Sequence, residues 1–158
     1  MSQHPDHYKI ERLRQLSNLL DNAIKIPGTS LGIGLDPIIG LLPGGGDFLT
    51  GLFSAYIVFS AAQLGVSKST LVRMTSHIII DTLAGRIPVV GDIFDIAWKA
   101  NTKNMELLDA HLASPQSVKK ADTWFVFLLL TGLIIFIVLM IFLGVGFFYL
   151  VFHLLTNK

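Results

Sequence analysis

The chain has 158 residues, with 12 Lys and Arg against 11 Asp and Glu, 5 His and a formal charge of +1. That balance, without a block of like charges, lacks the basic footprint of a nucleic-acid binder, so nucleic acid is not expected as a partner. An apolar share of 52% with only 15% charged residues leaves more apolar surface than one small domain buries in water, since soluble domains carry about 25% charged residues. A lipid bilayer is therefore the expected partner, and the absence of cysteine removes disulfides, thiolate metal sites and cysteine nucleophiles.

In chain order, Ile10, Leu13, Leu16, Leu19, Leu20, Ala23 and Ile24 recur at steps of three and four, which predicts an amphipathic helix within residues 1–26, from Tyr8 to Ile26. Its charged residues leave no uninterrupted apolar stretch for a secretory signal. Pro27 and Gly28 end it. Residues 27–113 then form a helical domain broken by glycine and proline. Asp47 is expected to cap a helix from Phe48 to Leu64 that stops at Gly65, and Ser67 or Ser69 to cap a second that reaches Ala84. Asp92 is expected to open a third, running through Trp98 to Leu108 with a wet face of Lys99, Asn101, Lys103, Asn104 and Glu106. Residues 114–123 read as a linker.

The segment 124–155 holds no Asp, Glu, Lys or Arg. A bilayer core of about 30 Å needs about 20 helical residues, so this run can cross once and is too short to cross twice with a turn. Its excess length can be taken up by tilt or by a kink near Gly144 and Gly146. Trp124 and Tyr149 suit the interfacial belts. Lys103, Lys119 and Lys120 precede the span and only Lys158, in the tail 156–158, follows it. The positive-inside rule then places the amino-terminal domain in the cytoplasm and the carboxyl terminus outside. The expected architecture is all-α: a small domain of two helix, broken-loop, helix repeats followed by a transmembrane helix.

The repeat rests on a shared pattern. Asp36, Gly40, Pro43, Gly46 and Asp47 recur as Asp81, Gly85, Pro88, Gly91 and Asp92, each displaced by 45 residues (81 − 36 and 92 − 47). Each copy joins one element to the start of a helix, which suggests two units packed about a pseudo-two-fold axis. Paired interrupted helices near a membrane point to re-entrant segments and to ion or solute sites. Two readings stay open for the acids. Asp36, Asp47, Asp81 and Asp92 cap helices and tie down loops, or with Asp95 they converge and hold a hard cation in oxygen coordination. Their spacing matches no EF-hand loop. Arg86, the one cation beside them, can pair with Asp81 or Asp92 or meet a lipid phosphate.

The stretch Gly34-Leu35-Asp36-Pro37-Ile38-Ile39-Gly40-Leu41-Leu42-Pro43-Gly44-Gly45-Gly46-Asp47 resembles the domain of unknown function 4112 family. So does the later run through Asp81, Gly85, Pro88, Gly91, Asp92 and Asp95 to Trp98-Lys99-Ala100-Asn101 and Asn104. The likeness covers roughly Leu16 to Leu112. It implies a small helical membrane-associated domain and brings no catalytic residue.

Other chemical signals are weak. Gly32 and Gly34 begin a dinucleotide-like pattern, but Pro37 stands where its third glycine belongs. No Walker lysine, zincin helix or nucleophile elbow occurs, so no cofactor is called for. His4 and His7 read as solvated. His77, on an apolar helix without a partner signature, reads as a hydrogen-bonded core or lining histidine rather than a base. Three functions follow from these residues. The first is a membrane-anchored scaffold or accessory module with a protein partner or a second copy of itself. The second is a small ion or solute pathway through the paired broken helices. The third is a Mg²⁺-dependent enzyme on lipid phosphate using Asp81, Asp92, Asp95 and Arg86.

Overall fold

The protein is seen in a computed structural model that describes residues 5–22, 24–25, 32–33, 46–84, 98–113 and 121–156. Among these residues the fold is helical, with helices α1 (Pro5–Asn22), α2 (Gly46–Gln63), α3 (Lys68–Ala84), α4 (Ala100–Ala113) and α5 (Thr123–Thr156). Between α1 and α2 two short strands, β1 (Ile24–Lys25) and β2 (Gly32–Ile33), pair antiparallel with Ile24 opposite Ile33. α1 packs on α4, α3 bridges to α2 and α4, and α5 lies across α2 and α3. Leu13 and Leu20 of α1, Ile57 and Val58 of α2, Leu71 and Met74 of α3, and Leu108 of α4 form the core, with Leu133 and Ile137 of α5 closing it.

The turn between α2 and α3 follows from local sequence. Gly65 adopts φ 89°, the left-handed conformation that a side chain disfavours. Its N–H donates to the Ala62 carbonyl and that of Val66 to the Ala61 carbonyl, at 3.1 and 3.2 Å, so α2 ends in a Schellman motif. Val66 is fully buried beneath it. One residue later Ser67 Oγ accepts the Thr70 N–H at 3.2 Å, so Ser67 is the cap of α3. α5 opens the same way, with Asp122 Oδ1 accepting the Phe125 N–H at 2.7 Å. Lys68 pairs with the other oxygen of that carboxylate. That hydrogen bond, and then the one from Phe125, holds the Asp122 carboxyl below its ordinary range.

Four expectations are corrected. α1 begins at Pro5 and ends at Asn22 rather than running from Tyr8 to Ile26, because the β-branched Ile24 pairs with Ile33 in an extended strand instead. The expected helix does not run through Trp98, and Asp92, its expected cap, lies outside the described residues. Trp98 and Lys99 are outside any helix and α4 starts at Ala100, where the start is held by a carboxylate from α1. The wet face assigned to α4 is also wrong at two positions, since Asn101 and Asn104 are 1% and 0% exposed. α2 begins at Gly46, so Asp47 lies inside its first turn rather than capping a helix that starts at Phe48.

Candidate functional site

The polar chemistry of the bundle gathers where α1 ends and α4 begins. Lys99 precedes α4 and its carbonyl accepts the Lys103 N–H at 3.0 Å, so Lys99 occupies the cap position although its side chain has no oxygen with which to cap. Asp21, at the end of α1, supplies one from across the fold. Its Oδ2 accepts the Thr102 N–H at 2.6 Å and the Thr102 hydroxyl at 2.8 Å, and its Oδ1 accepts from Asn101 Nδ2 at 2.8 Å. Lys99 Nζ donates to the Asp21 carbonyl. The buried carboxylate thus accepts three hydrogen bonds at the start of α4 and serves as its cap from across the fold.

A second set of contacts sits one turn along. Asn104 Nδ2 donates to the Met74 carbonyl at 3.2 Å, which turns Asn104 Oδ1 toward His77 Nδ1 at 2.9 Å. An acceptor oxygen there requires Nδ1 to carry a hydrogen. The imidazole meets Trp98 edge to face, with centroids 5.6 Å apart and planes at 84°. Lys103 Nζ lies 4.7 Å from the centre of the same indole. His77 is thus a hydrogen-bonded histidine at the α3–α4 seam, as its apolar helix led us to expect. Toward the other end of α4, Asp109 accepts from Arg14 Nη2 at 3.1 Å, which raises the guanidinium pKa and ties α1 to α4.

These contacts hold helices together. Among the described residues, no three His, Asp or Glu side chains stand close enough to hold a metal ion. Of the acids singled out in the sequence, Asp81 lies half-buried on α3, one turn beyond His77, and Asp47 lies in the first turn of α2. Gly46 opens α2. Asp36, Asp92, Asp95, Arg86, Gly40, Pro43, Gly85, Pro88 and Gly91 lie outside the described residues, as do the two broken loops and so the repeat itself. Sequence reasoning missed Asp21 and Asp122. Asp122 could have been found, since it precedes a long apolar run at a cap position. Asp21 could not, because its partners are 80 and 81 residues away.

Trp98, Asn101 and Asn104, which carry part of the motif quoted above, all belong to this seam. Residues 9–112 match the family described as Domain of unknown function (DUF4112), and that is well over half of the 158-residue chain. The chain belongs to the DUF4112 family. The matched DUF4112 segment takes in most of α1 and all of α2 and α3, and it ends one residue short of the end of α4, so the Asp21 and His77 clusters lie within it and α5 lies outside. No curated protein and no solved structure is similar enough to this DUF4112 chain to count as a match.

The other feature of this DUF4112 protein is α5, whose 34 residues form one helix long and apolar enough to cross a membrane. At about 1.5 Å per residue it is about 50 Å long. Its first half lies on the bundle. A Cβ on Gly51 of α2 would come within 2.8 Å of Ile137 Cδ1, so glycine is what lets the two helices approach so closely. Beyond Ile141 the cover ends, and Phe142, Phe147, Phe148, Tyr149 and Leu155 are all at least 70% exposed. Water is a poor solvent for such a surface, and lipid a good one. The protein is membrane-associated through this helix.

Proposed function

We propose that the protein is a membrane-anchored helical module, a scaffold or accessory subunit rather than an enzyme. The observation that carries this reading is the contrast between α5 and the bundle. α5 presents an uncharged, uncovered end suited to lipid, whereas the best-organised polar side chains of the bundle, Asp21, Asn101, Thr102, His77 and Asn104, are occupied in joining helices. In this reading α1–α4 stand at the cytoplasmic face, in line with Lys103, Lys119 and Lys120 before the span and Lys158 after it.

Washing membranes with alkaline carbonate tests the anchor. The full chain stays in the pellet, and Val145→Asp with Phe148→Asp releases it, because two carboxylates near mid-span oppose insertion. Release of the wild-type chain contradicts the anchor. Extraction in mild detergent tests the scaffold: a stoichiometric partner or self-oligomer is expected, and a lone monomer contradicts it.

A further inference from the structure

The part of α5 that the bundle covers overlaps the part that a membrane span needs. α5 ends at Thr156, and a bilayer core of about 30 Å takes about 20 helical residues. Even a span that uses the last residue of the helix therefore begins no later than about Ile137. Ile137 is covered by the bundle: it is buried, and a Cβ on Gly51 of α2 would lie 2.8 Å from its Cδ1. The cover extends to Ile141, which packs against the core. From Ile141 to Thr156 there is only about 22 Å of helix, too little to cross.

Contacts show which residues share that depth. Lys68, just past α2, pairs with Asp122 at the start of α5, whereas Gly51 meets Ile137, so α2 runs antiparallel to α5. Gly46, the first residue of α2, then stands about 7 Å deeper than Gly51. α3 returns beside α2 from the turn at Gly65, so its last residues stand level with the start of α2. This end of the bundle exposes apolar side chains: Leu49 and Phe53 on α2, Ile80 and Leu83 on α3, each between 41% and 47% exposed. α2 has no charged residue from Phe48 to its end, and Asp81 on α3 is half-buried. The other charges placed by contacts lie further out. Lys9 bonds Gln63 at the end of α2. Trp98 meets His77 and Asn104 bonds the Met74 carbonyl, so the start of α4 and its Asp21 cap stand level with the middle of α3.

We propose that the start of α2 and the end of α3 are sunk in the hydrocarbon beside α5, with lipid acyl chains covering Leu49 and Leu83 and with Phe53 and Ile80 at the boundary; the proposal rests on the reading of α5 as an anchor. Lipid is the cover because this surface continues that of α5. Leu139, Phe142 and Leu143 stand at the same height, are more than half exposed, and are immersed in any span long enough to cross. A boundary near Ile137 keeps the Asp21 cluster and Lys9 out of hydrocarbon, where exposed charge is disfavoured. Phe59, about 12 Å short of Gly51 along α2, also stays outside.

The chain has no cysteine, so single cysteines report cleanly. Leu49→Cys, Phe59→Cys, Leu83→Cys and Val145→Cys, each with the helix content of the wild type by circular dichroism, are labelled with bimane and placed in phosphatidylcholine vesicles with spin-labelled acyl chains. Fluorescence is expected to be lost at 49 and 83 as well as at 145, and kept at 59. Iodide in the buffer is expected to quench 59 and to spare 49 and 83. Acyl-chain quenching at 145 but at neither 49 nor 83 overturns the proposal and leaves the anchor standing; iodide then tells whether water or another protein is the cover. Acyl-chain quenching at 59 equal to that at 49 overturns the boundary near Ile137. No quenching at 145 overturns the anchor itself, and the proposal with it.

Discussion

Replacing Asp21 tests whether a helix can depend on a cap supplied from a distant part of the chain. Asp21→Ala removes acceptors from the Thr102 N–H, the Thr102 hydroxyl and Asn101 Nδ2, now held at 2.6, 2.8 and 2.8 Å. Loss of a cap costs about 1 kcal/mol. Asn101 is 1% exposed, so its amide has no water to turn to, and a buried donor left unpaired costs about 1–3 kcal/mol more. The total is about 3 kcal/mol, which for a chain of this size lowers Tm by roughly 6–12 °C. Asp21→Asn keeps one acceptor oxygen and is expected to lose about half as much. Thermal unfolding in detergent followed by far-UV circular dichroism measures both, and hydrogen exchange at the Thr102 amide reports the cap directly. A Tm for Asp21→Ala within about 2 °C of wild type, with the Thr102 amide still protected, would refute the reasoning.

Other positions offer independent checks. Gly65→Ala forces a side chain into the left-handed turn after α2 and is expected to cost about 1–2 kcal/mol in denaturant unfolding. Gly51→Ala crowds Ile137, whose Cδ1, Cγ2 and Cγ1 lie 2.8, 3.1 and 3.3 Å from the added Cβ. A loss of about 1–3 kcal/mol is expected, with partial recovery when Ile137→Val is added; equal stability of the two variants would contradict the close approach. The Asp122 carboxyl has a folded pKa below its unfolded value, chiefly through the hydrogen bond from Lys68. Its contribution to stability is therefore present above the unfolded pKa and lost as pH falls through the folded one. Lys68→Ala is expected to narrow that window, so wild type and variant should converge in stability at acid pH and part toward neutrality.

Where the cause of a structure is local, the sequence made it legible. Gly65 ends α2 and Ser67 caps α3 because glycine permits the left-handed turn and a serine oxygen reaches the N–H three residues on. α5 is visible as an uncharged run, and the core positions of α1 follow its helical spacing. The start of α4 was not legible because its cap comes from Asp21 in α1, and nothing adjacent to Lys99 marks it. Asn101 and Asn104 looked solvent-facing for the same reason. An amide reads as a surface residue until a carboxylate, an imidazole and a carbonyl from other helices are known to surround it. At the candidate site the histidine reading held, while most of the repeated aspartates and their Gly/Pro loops fall outside the described residues.

In the proposed arrangement the distal half of α5 crosses the bilayer while α1–α4 stand beside it. A bimane label placed in turn at positions 128, 135, 142, 145, 149 and 155 of the cysteine-free chain, in proteoliposomes with spin-labelled acyl chains, measures this along the helix. Quenching should peak near position 145 and vanish by 128. A peak at or before 135 would put the bundle in lipid, and no quenching at any position would mean that α5 does not enter the membrane.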